Sequence, residues 1–180
     1  MSARTIERIE TGRLVCERMR PEHERDLIRL LCDPRVAATT WPRSDGPSEA
    51  EVSASLAAKI EHWERHGFGL WLLRDRADDA MVGRGGLQTT HATGGLEVEV
   101  GWAIVPERWG QGLATEMAWL AVNVAFADLD LQSIVAFTLP DNVASRRVME
   151  KAGFAYERDI VYVELPHVLY RRAKDRSRLI

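Results

Sequence analysis

The spacing of apolar residues along this chain changes repeatedly between a helical and a strand-like period. Apolar residues recur three or four positions apart in four stretches, which is the helical period. Alternating or short apolar runs fill the segments between these stretches. The pattern predicts strands over 11–19, 70–74, 81–90, 96–105 and 133–138, helices that begin near 21, 48, 113 and 144, and one or two closing strands within 154–172. This order predicts an α/β fold with a mixed central sheet and helices on both faces.

The predicted strand over 96–105 shows the sharpest alternation in the chain. One face would carry Leu96, Val98, Val100 and Trp102, and the other would carry Glu97, Glu99 and Gly101. An alternating strand packs its apolar face against a core. We therefore expect the two carboxylates on the opposite face of the sheet.

Length and charge limit the classes of protein that remain. The 180 residues fit a single domain over 1–180, without repeats or linkers. The net charge of −3 gives no sign of the basic face that nucleic-acid-binding proteins usually carry. No stretch approaches the roughly 20 apolar residues of a membrane span, and the polar start lacks the apolar region of a signal peptide. We expect a cytoplasmic protein with no nucleic-acid or membrane partner.

A glycine-rich segment, Trp109-Gly110-Gln111-Gly112-Leu113-Ala114, joins the long strand to the third helix. The first turn of a helix has unpaired N–H groups and a partial positive charge, and glycines allow a phosphate to approach the backbone. The segment predicts a pocket for a phosphate or pyrophosphate, although a glycine-rich turn without a ligand would show the same spacing. No Walker A pattern is present, and Thr115 stands where a dinucleotide-binding fingerprint has its third glycine.

Two segments carry a family resemblance. The run over 99–116 (EVGWAIVPERWGQGLATE) resembles motif A of the GNAT acetyltransferases, and the run over 141–154 (DNVASRRVMEKAGF) resembles their motif B. Thr11-Gly12-Arg13-Leu14 extends the resemblance towards the start of the chain, together with Arg18 and Asp33-Pro34. The sequence is most similar to the branch that includes the ribosomal-protein alanine acetyltransferases. The resemblance implies a GNAT-type acyltransferase fold.

This resemblance implies acetyl-CoA as co-substrate and no metal. The pyrophosphate would lie on amides of the glycine-rich segment, and the pantetheine arm would run between the strands over 96–105 and 133–138. The cofactor-binding residues that it implies are Ile104, Val105, Trp109, Gly110, Gln111, Gly112, Leu113, Ala114, Asn142 and Arg147. Trp109 departs from the Gln or Arg that often begins this loop, which leaves more of the binding to backbone N–H groups.

Acetyl transfer to an amine requires the neutral amine, and therefore a group that takes its proton. Glu99 is the first candidate for this base and Glu97 the second; the alternative is that both carboxylates face solvent. Ser145 stands where many family members have a tyrosine, and it would donate a hydrogen bond to the leaving thiolate. Its alternative role is to cap the helix.

The acceptor is less determined than the donor. In the family, the acceptor cleft forms near positions that correspond to Trp41, Arg43, His66, Phe68, Trp71 and Gln88. The negative net charge favours a cationic amine, either a protein N-terminus or a small molecule. We expect an N-acetyltransferase that works by direct attack in a ternary complex. The alternative is a non-catalytic acyl-CoA-binding sensor. Either protein could form a homodimer.

Overall fold

A computed structural model describes residues 6–40 and 45–175, which are organised around an eight-stranded sheet. The strands are β1 (Arg8–Glu10), β2 (Leu14–Arg18), β3 (Leu70–Asp75), β4 (Met81–Thr90), β5 (Glu97–Ile104), β6 (Ser133–Thr138), β7 (Ala155–Tyr162) and β8 (Leu165–Ala173). They follow one another across the sheet as β1-β2-β3-β4-β5-β6-β8-β7. Neighbouring strands are antiparallel except β5 and β6, which run parallel. The predicted α/β fold with a mixed sheet is confirmed.

The described residues form five α-helices. These are α1 (Glu24–Leu31), α2 (Pro34–Thr40), α3 (Glu49–His66), α4 (Leu113–Asn123) and α5 (Val143–Lys151). The sequence did not predict β1 or α2, because three and seven residues are too few to show a clear period. No helix in the described part of the chain combines the length and apolar character needed to cross a membrane.

The sheet separates two apolar cores. On one face, α4 and α5 pack against the sheet through residues such as Met117 and Met149. On the other face, the core beneath α1, α2 and α3 includes Leu72 of β3 and Ala103 of β5. The alternation predicted for β5 is confirmed, since Val100 belongs to the first core whereas Ala103 belongs to the second. Because side chains alternate along a strand, Glu99 lies on the α1–α3 face.

The helix α3 is fixed at both ends. Ser48 accepts a hydrogen bond from the N–H of Glu51 at 3.3 Å, and the Glu51 carboxylate accepts one from the N–H of Ser48 at 2.8 Å. This is a reciprocal capping box. Gly67 ends the helix in the left-handed conformation with φ of 72°. The fixed helix holds Lys59 above β4, which places a cation on the same face as Glu99.

The two parallel strands separate near the middle of the sheet. The described pairing between β5 and β6 joins Glu99 with Val135, and β5 then continues beside β4 to Ile104. An opening therefore forms between the carboxyl ends of β5 and β6. The chain that follows each strand returns to a helix at this edge: the glycine-rich segment leads into α4, and the turn after Thr138 leads into α5.

Candidate active site

Backbone groups of β5 line one side of the opening. The N–H of Val105 donates to the carbonyl of Val82 on β4 at 2.9 Å. Because backbone groups alternate in direction along a strand, the N–H groups of Trp102 and Ile104 point towards β6, beyond the pairing that the described residues form. The Ile104 carbonyl accepts the indole N–H of Trp109 at 2.7 Å. The N–H groups at these two positions can pair with an amide-bearing chain as a strand would.

The backbone of Val105 is already used within the protein. Its N–H donates to β4, and its carbonyl accepts the N–H of Arg108 at 2.9 Å. The Arg108 side chain lies 2.9 Å from the carboxylate of Asp75, which ties this turn to the end of β3. The geometry therefore gives no support to a backbone contact from Val105 and favours Trp102 instead.

Side-chain contacts hold the glycine-rich segment in place. Arg13 donates from Nη1 to the carbonyl of Gln111 at 2.7 Å and from Nε to Glu116 at 2.7 Å. The Glu116 carboxylate also accepts the Thr11 hydroxyl at 2.6 Å and the N–H of Arg13 at 2.8 Å. The first turn of α4 and the loop before it are thus bonded to the turn that leads into β2.

Gly110 and Gly112 have φ angles of 74° and 79°, which favour glycine. A Cβ at Gly110 would meet no other atom within 4 Å, so the backbone there is open. Leu113 packs its side chain into the core while its backbone begins α4, where N–H groups lack helical partners. Trp109 is half-exposed, and its indole N–H is used by β5. A phosphate group fits this cradle through backbone N–H groups.

The start of α5 borders the other side of the opening. Asn142 caps the helix, because its Oδ1 accepts the N–H of Ser145 at 3.1 Å. Ser145 is therefore not the cap, and its hydroxyl has no hydrogen-bond partner among the described residues. Arg146 donates to the Tyr170 hydroxyl at 3.2 Å. Arg147 is exposed and makes no ion pair within the described ranges, so it is the freer of the two arginines.

Glu99 is a buried carboxylate, with 8% of the residue exposed. Its Oε1 accepts a hydrogen bond from Gln88, whose own Oε1 accepts one from Lys59 Nζ at 2.5 Å. The Oε2 atom is buried and has no hydrogen-bond partner within residues 6–40 and 45–175. Burial raises the pKa of Glu99. The hydrogen bond from Gln88, the charge of Lys59, the nearby Thr90 hydroxyl and the charge of Arg84 all oppose this rise.

A gap adjoins this carboxylate. Gly101 lies two residues further along β5 on the same face, and a Cβ there would meet nothing closer than Glu99 Oε1 at 4.0 Å. Glu97 is placed differently, because its carboxylate accepts hydrogen bonds from Arg171 at 3.0 and 3.2 Å. Of the two predicted carboxylates, Glu99 alone is buried with an unpaired oxygen. It does not face solvent as the alternative expected.

The residues predicted around the acceptor fall into different environments. Gln88 bonds directly to the buried carboxylate. Trp71 and Phe68 belong to the core rather than to a cleft, and His66 is exposed at the end of α3. Trp41 and Arg43 lie outside the described residues.

Sequence reasoning missed Lys59, Arg84 and the role of Arg13. Arg84 gave a usable signal, since it is the one charge in the run VGRGGL over 82–87. Lys59 gave none, because a lysine on an amphipathic helix is ordinarily solvated. Arg13 carried a resemblance but no predicted contact, and its partners lie about a hundred positions away in the sequence.

Comparison with known proteins identifies the family. Residues 13–155 match the family model described as "Acetyltransferase (GNAT) domain". The uncharacterized N-acetyltransferase YoaA of Bacillus subtilis is 26% identical over 149 residues, which is 83% of each chain. Several other curated relatives are matched over less than two thirds of their own length.

Solved structures share the fold. A GnaT-family acetyltransferase from Bordetella pertussis has a TM-score of 0.80 at 24% identity, over 92% of this chain and 99% of that one. RimL, a ribosomal L7/L12 α-N-protein acetyltransferase in complex with coenzyme A, has a TM-score of 0.77 at 18% identity, over 93% and 98%. At these identities the likeness shows the fold alone. Because the family model spans most of the sequence, the chain belongs to the GNAT family of acetyltransferase enzymes.

Proposed function

We propose that this enzyme transfers the acetyl group of acetyl-CoA to a primary amine by direct attack in a ternary complex. The observation that carries this proposal is the buried Glu99, which has an unpaired oxygen and lies on β5 at its pairing with β6, where the two strands begin to separate. An ammonium group must lose a proton before its nitrogen can attack the thioester, and the attacking nitrogen must lose another to give the neutral amide. Burial raises the pKa of Glu99 towards the neutral range in which a general base is most effective.

Acetyl-CoA would supply the acetyl thioester. The cradle offers the backbone N–H groups expected to bind the pyrophosphate, at Gly110, Gln111, Gly112, Leu113 and Ala114. The N–H groups of Trp102 and Ile104 would pair with the pantetheine amides. Asn142 would offer its side-chain NH₂ group, since its oxygen caps α5. Arg147 would bind an adenosine phosphate by a charge-assisted hydrogen bond. The coenzyme A complex of RimL, which shares the fold, supports this assignment.

The proposed catalytic groups lie on opposite sides of the opening. Glu99 on β5 accepts the proton of the amine as the new C–N bond forms, directly or through a water. Ser145 at the start of α5 donates a hydrogen bond to the sulfur that leaves as the C–S bond breaks. The amine proton thus ends on Glu99, and the negative charge on sulfur is stabilised until the thiolate is protonated.

The acceptor is an amine of a protein N-terminus or a small molecule. The name of RimL describes an acetyltransferase of the ribosomal protein L7/L12, which makes a protein N-terminus one candidate acceptor for this chain. A cytoplasmic location and a homodimer stay predictions.

Two measurements test the proposal. Calorimetric titration with acetyl-CoA is expected to give micromolar binding, and thiol release is expected with at least one amine of a broad panel. Absence of binding up to millimolar acetyl-CoA would overturn the cofactor assignment. Tight binding without turnover on any amine would instead favour a sensor.

A further inference from the structure

Arg84 is a charged residue inside the fold that the proposed chemistry does not use. It lies on β4, opposite Leu72 of β3 and Ala103 of β5, and both neighbours belong to the apolar core beneath α1–α3. Its Nε is buried without a hydrogen-bond partner. The guanidinium makes no hydrogen bond or ion pair with any residue in 6–40 and 45–175.

An unpaired guanidinium in this position is costly. Burial lowers the pKa of Arg84 and Glu99 opposes this, but a guanidinium keeps its proton at neutral pH. Arg84 is partly buried as a residue, but its Nε is fully buried, and a buried N–H group without an acceptor is unfavourable. Glu99 supplies a negative charge that favours the charged guanidinium, but it gives no hydrogen bond, so the Nε–H of Arg84 is available to an anionic ligand.

Arg84 and Glu99 share one face of the sheet. Glu99 pairs with Gln88, and Arg84 lies four residues along the same strand, a backbone separation of about 14 Å at a rise of about 3.4 Å per residue. Between them, Gly86 pairs with Gly101, and neither residue carries a side chain. The open space lies at Gly101, because a Cβ at Gly86 would meet the Gly69 carbonyl at 2.7 Å. The charges of Arg84 and Glu99 act on each other across this stretch of the sheet.

We propose that the acceptor is a small amino carboxylate: Arg84 binds its carboxylate while Glu99 takes the proton of its amine. This deepens the acetyltransferase function proposed above and rests on it. A guanidinium fits a carboxylate with two parallel hydrogen bonds. Lys59, held on Gln88, adds a second positive charge beside the same gap. The local charges therefore oppose the cationic acceptor that the net charge of the whole chain favoured.

Matched pairs of acceptors test the proposal. Thiol release is measured for the standard amino acids and for their carboxamides, which keep the amine but lose the negative charge. We expect kcat/KM for at least one acid to exceed that of its amide by about tenfold or more, the size of one lost charge-assisted hydrogen bond. Arg84→Met should abolish this preference, and Arg84→Lys should keep part of it. Arg65→Met, on the exposed end of α3, should leave it unchanged.

A binding measurement separates the acceptor proposal from the enzymatic one. With CoA present, N-acetyl amino acids and their amides are titrated into the wild type and the variants by calorimetry; CoA binding itself shows that each variant is folded. If the wild type binds the acid and Arg84→Met does not, the carboxylate site is supported. If, in addition, no amine is turned over, only the acetyltransfer proposal fails. If acids and amides are turned over equally well, the carboxylate site is wrong and the acetyltransferase proposal stands. If the acid does not bind and is not preferred over its amide as an acceptor, the proposed carboxylate site is wrong.

Discussion

Replacement of Glu99 by Gln tests the proposed base with the smallest change in shape. The amide can still accept the hydrogen bond that Gln88 donates to Oε1, but it cannot take a proton. General-base catalysis contributes about 10²–10⁴-fold in rate. At about 1.4 kcal/mol for each factor of ten, this is about 3–5 kcal/mol of transition-state stabilisation. We expect kcat/KM for the amine to fall by this factor.

The acetyl-CoA affinity of Glu99→Gln should stay at the wild-type value, because Glu99 lies apart from the glycine-rich segment. Thiol release at saturating acetyl-CoA measures the first effect, and calorimetry measures the second. Glu97→Gln is the matched control, since Glu97 lies on the same strand and face but is bound by Arg171. A Glu99→Gln enzyme that keeps more than a tenth of wild-type kcat/KM, about 1.4 kcal/mol or less of lost stabilisation, refutes the assignment.

The pH dependence of kcat/KM and of stability gives a second test of Glu99 as the general base. Because burial raises its pKa, the basic form is lost at a higher pH than for an exposed carboxylate. Wild-type kcat/KM should therefore fall as the pH drops through this raised pKa, and the Gln variant should lack that limb. Folding favours the protonated carboxyl, so this contribution to stability is full below the ordinary value near 4.5 and is lost as pH rises through the raised pKa. Urea unfolding should show the wild type losing stability relative to Glu99→Gln across that window; a relative gain would contradict the burial argument.

Three further substitutions test the cofactor side. Gly112→Ala should cost about 1–2 kcal/mol in the free energy of unfolding and weaken acetyl-CoA binding, since its φ of 79° is unfavourable for Ala; Gly95→Ala, where a Cβ meets nothing within 4 Å, is the neutral control in urea unfolding. Arg13→Gln, which removes the bond to the carbonyl of Gln111, should raise the calorimetric Kd for acetyl-CoA by about three- to tenfold, and an unchanged Kd would show that the loop needs no clamp. Ser145→Ala should lower kcat by up to about tenfold without changing that Kd, and an unchanged kcat would remove Ser145 from the mechanism.

Local patterns predicted the fold and the glycine-rich turn that leads into α4. The alternation along β5 and the glycines before α4 lie within short stretches of sequence, so each could be interpreted without knowledge of tertiary contacts. The side-chain network was not predictable in this way. Lys59, Gln88 and Glu99 lie on three elements, and only the register of β4 against β5 places Gln88 opposite Glu99. The same holds for Arg13, whose partners belong to α4 and its preceding loop.

The polar defects of this structure are concentrated rather than scattered. Among the described residues, the buried side-chain nitrogen and oxygen atoms without a partner are Arg84 Nε and Glu99 Oε2. Both lie on one face, on either side of the pair Gly86 and Gly101, and each charge lessens the cost of burying the other. The two residues carry opposite charges, and neither satisfies the other by a hydrogen bond. A ligand with an ammonium group and a carboxylate a few atoms apart would satisfy both residues at once. Binding such an acceptor would therefore recover the free energy that the two unpaired atoms cost the protein.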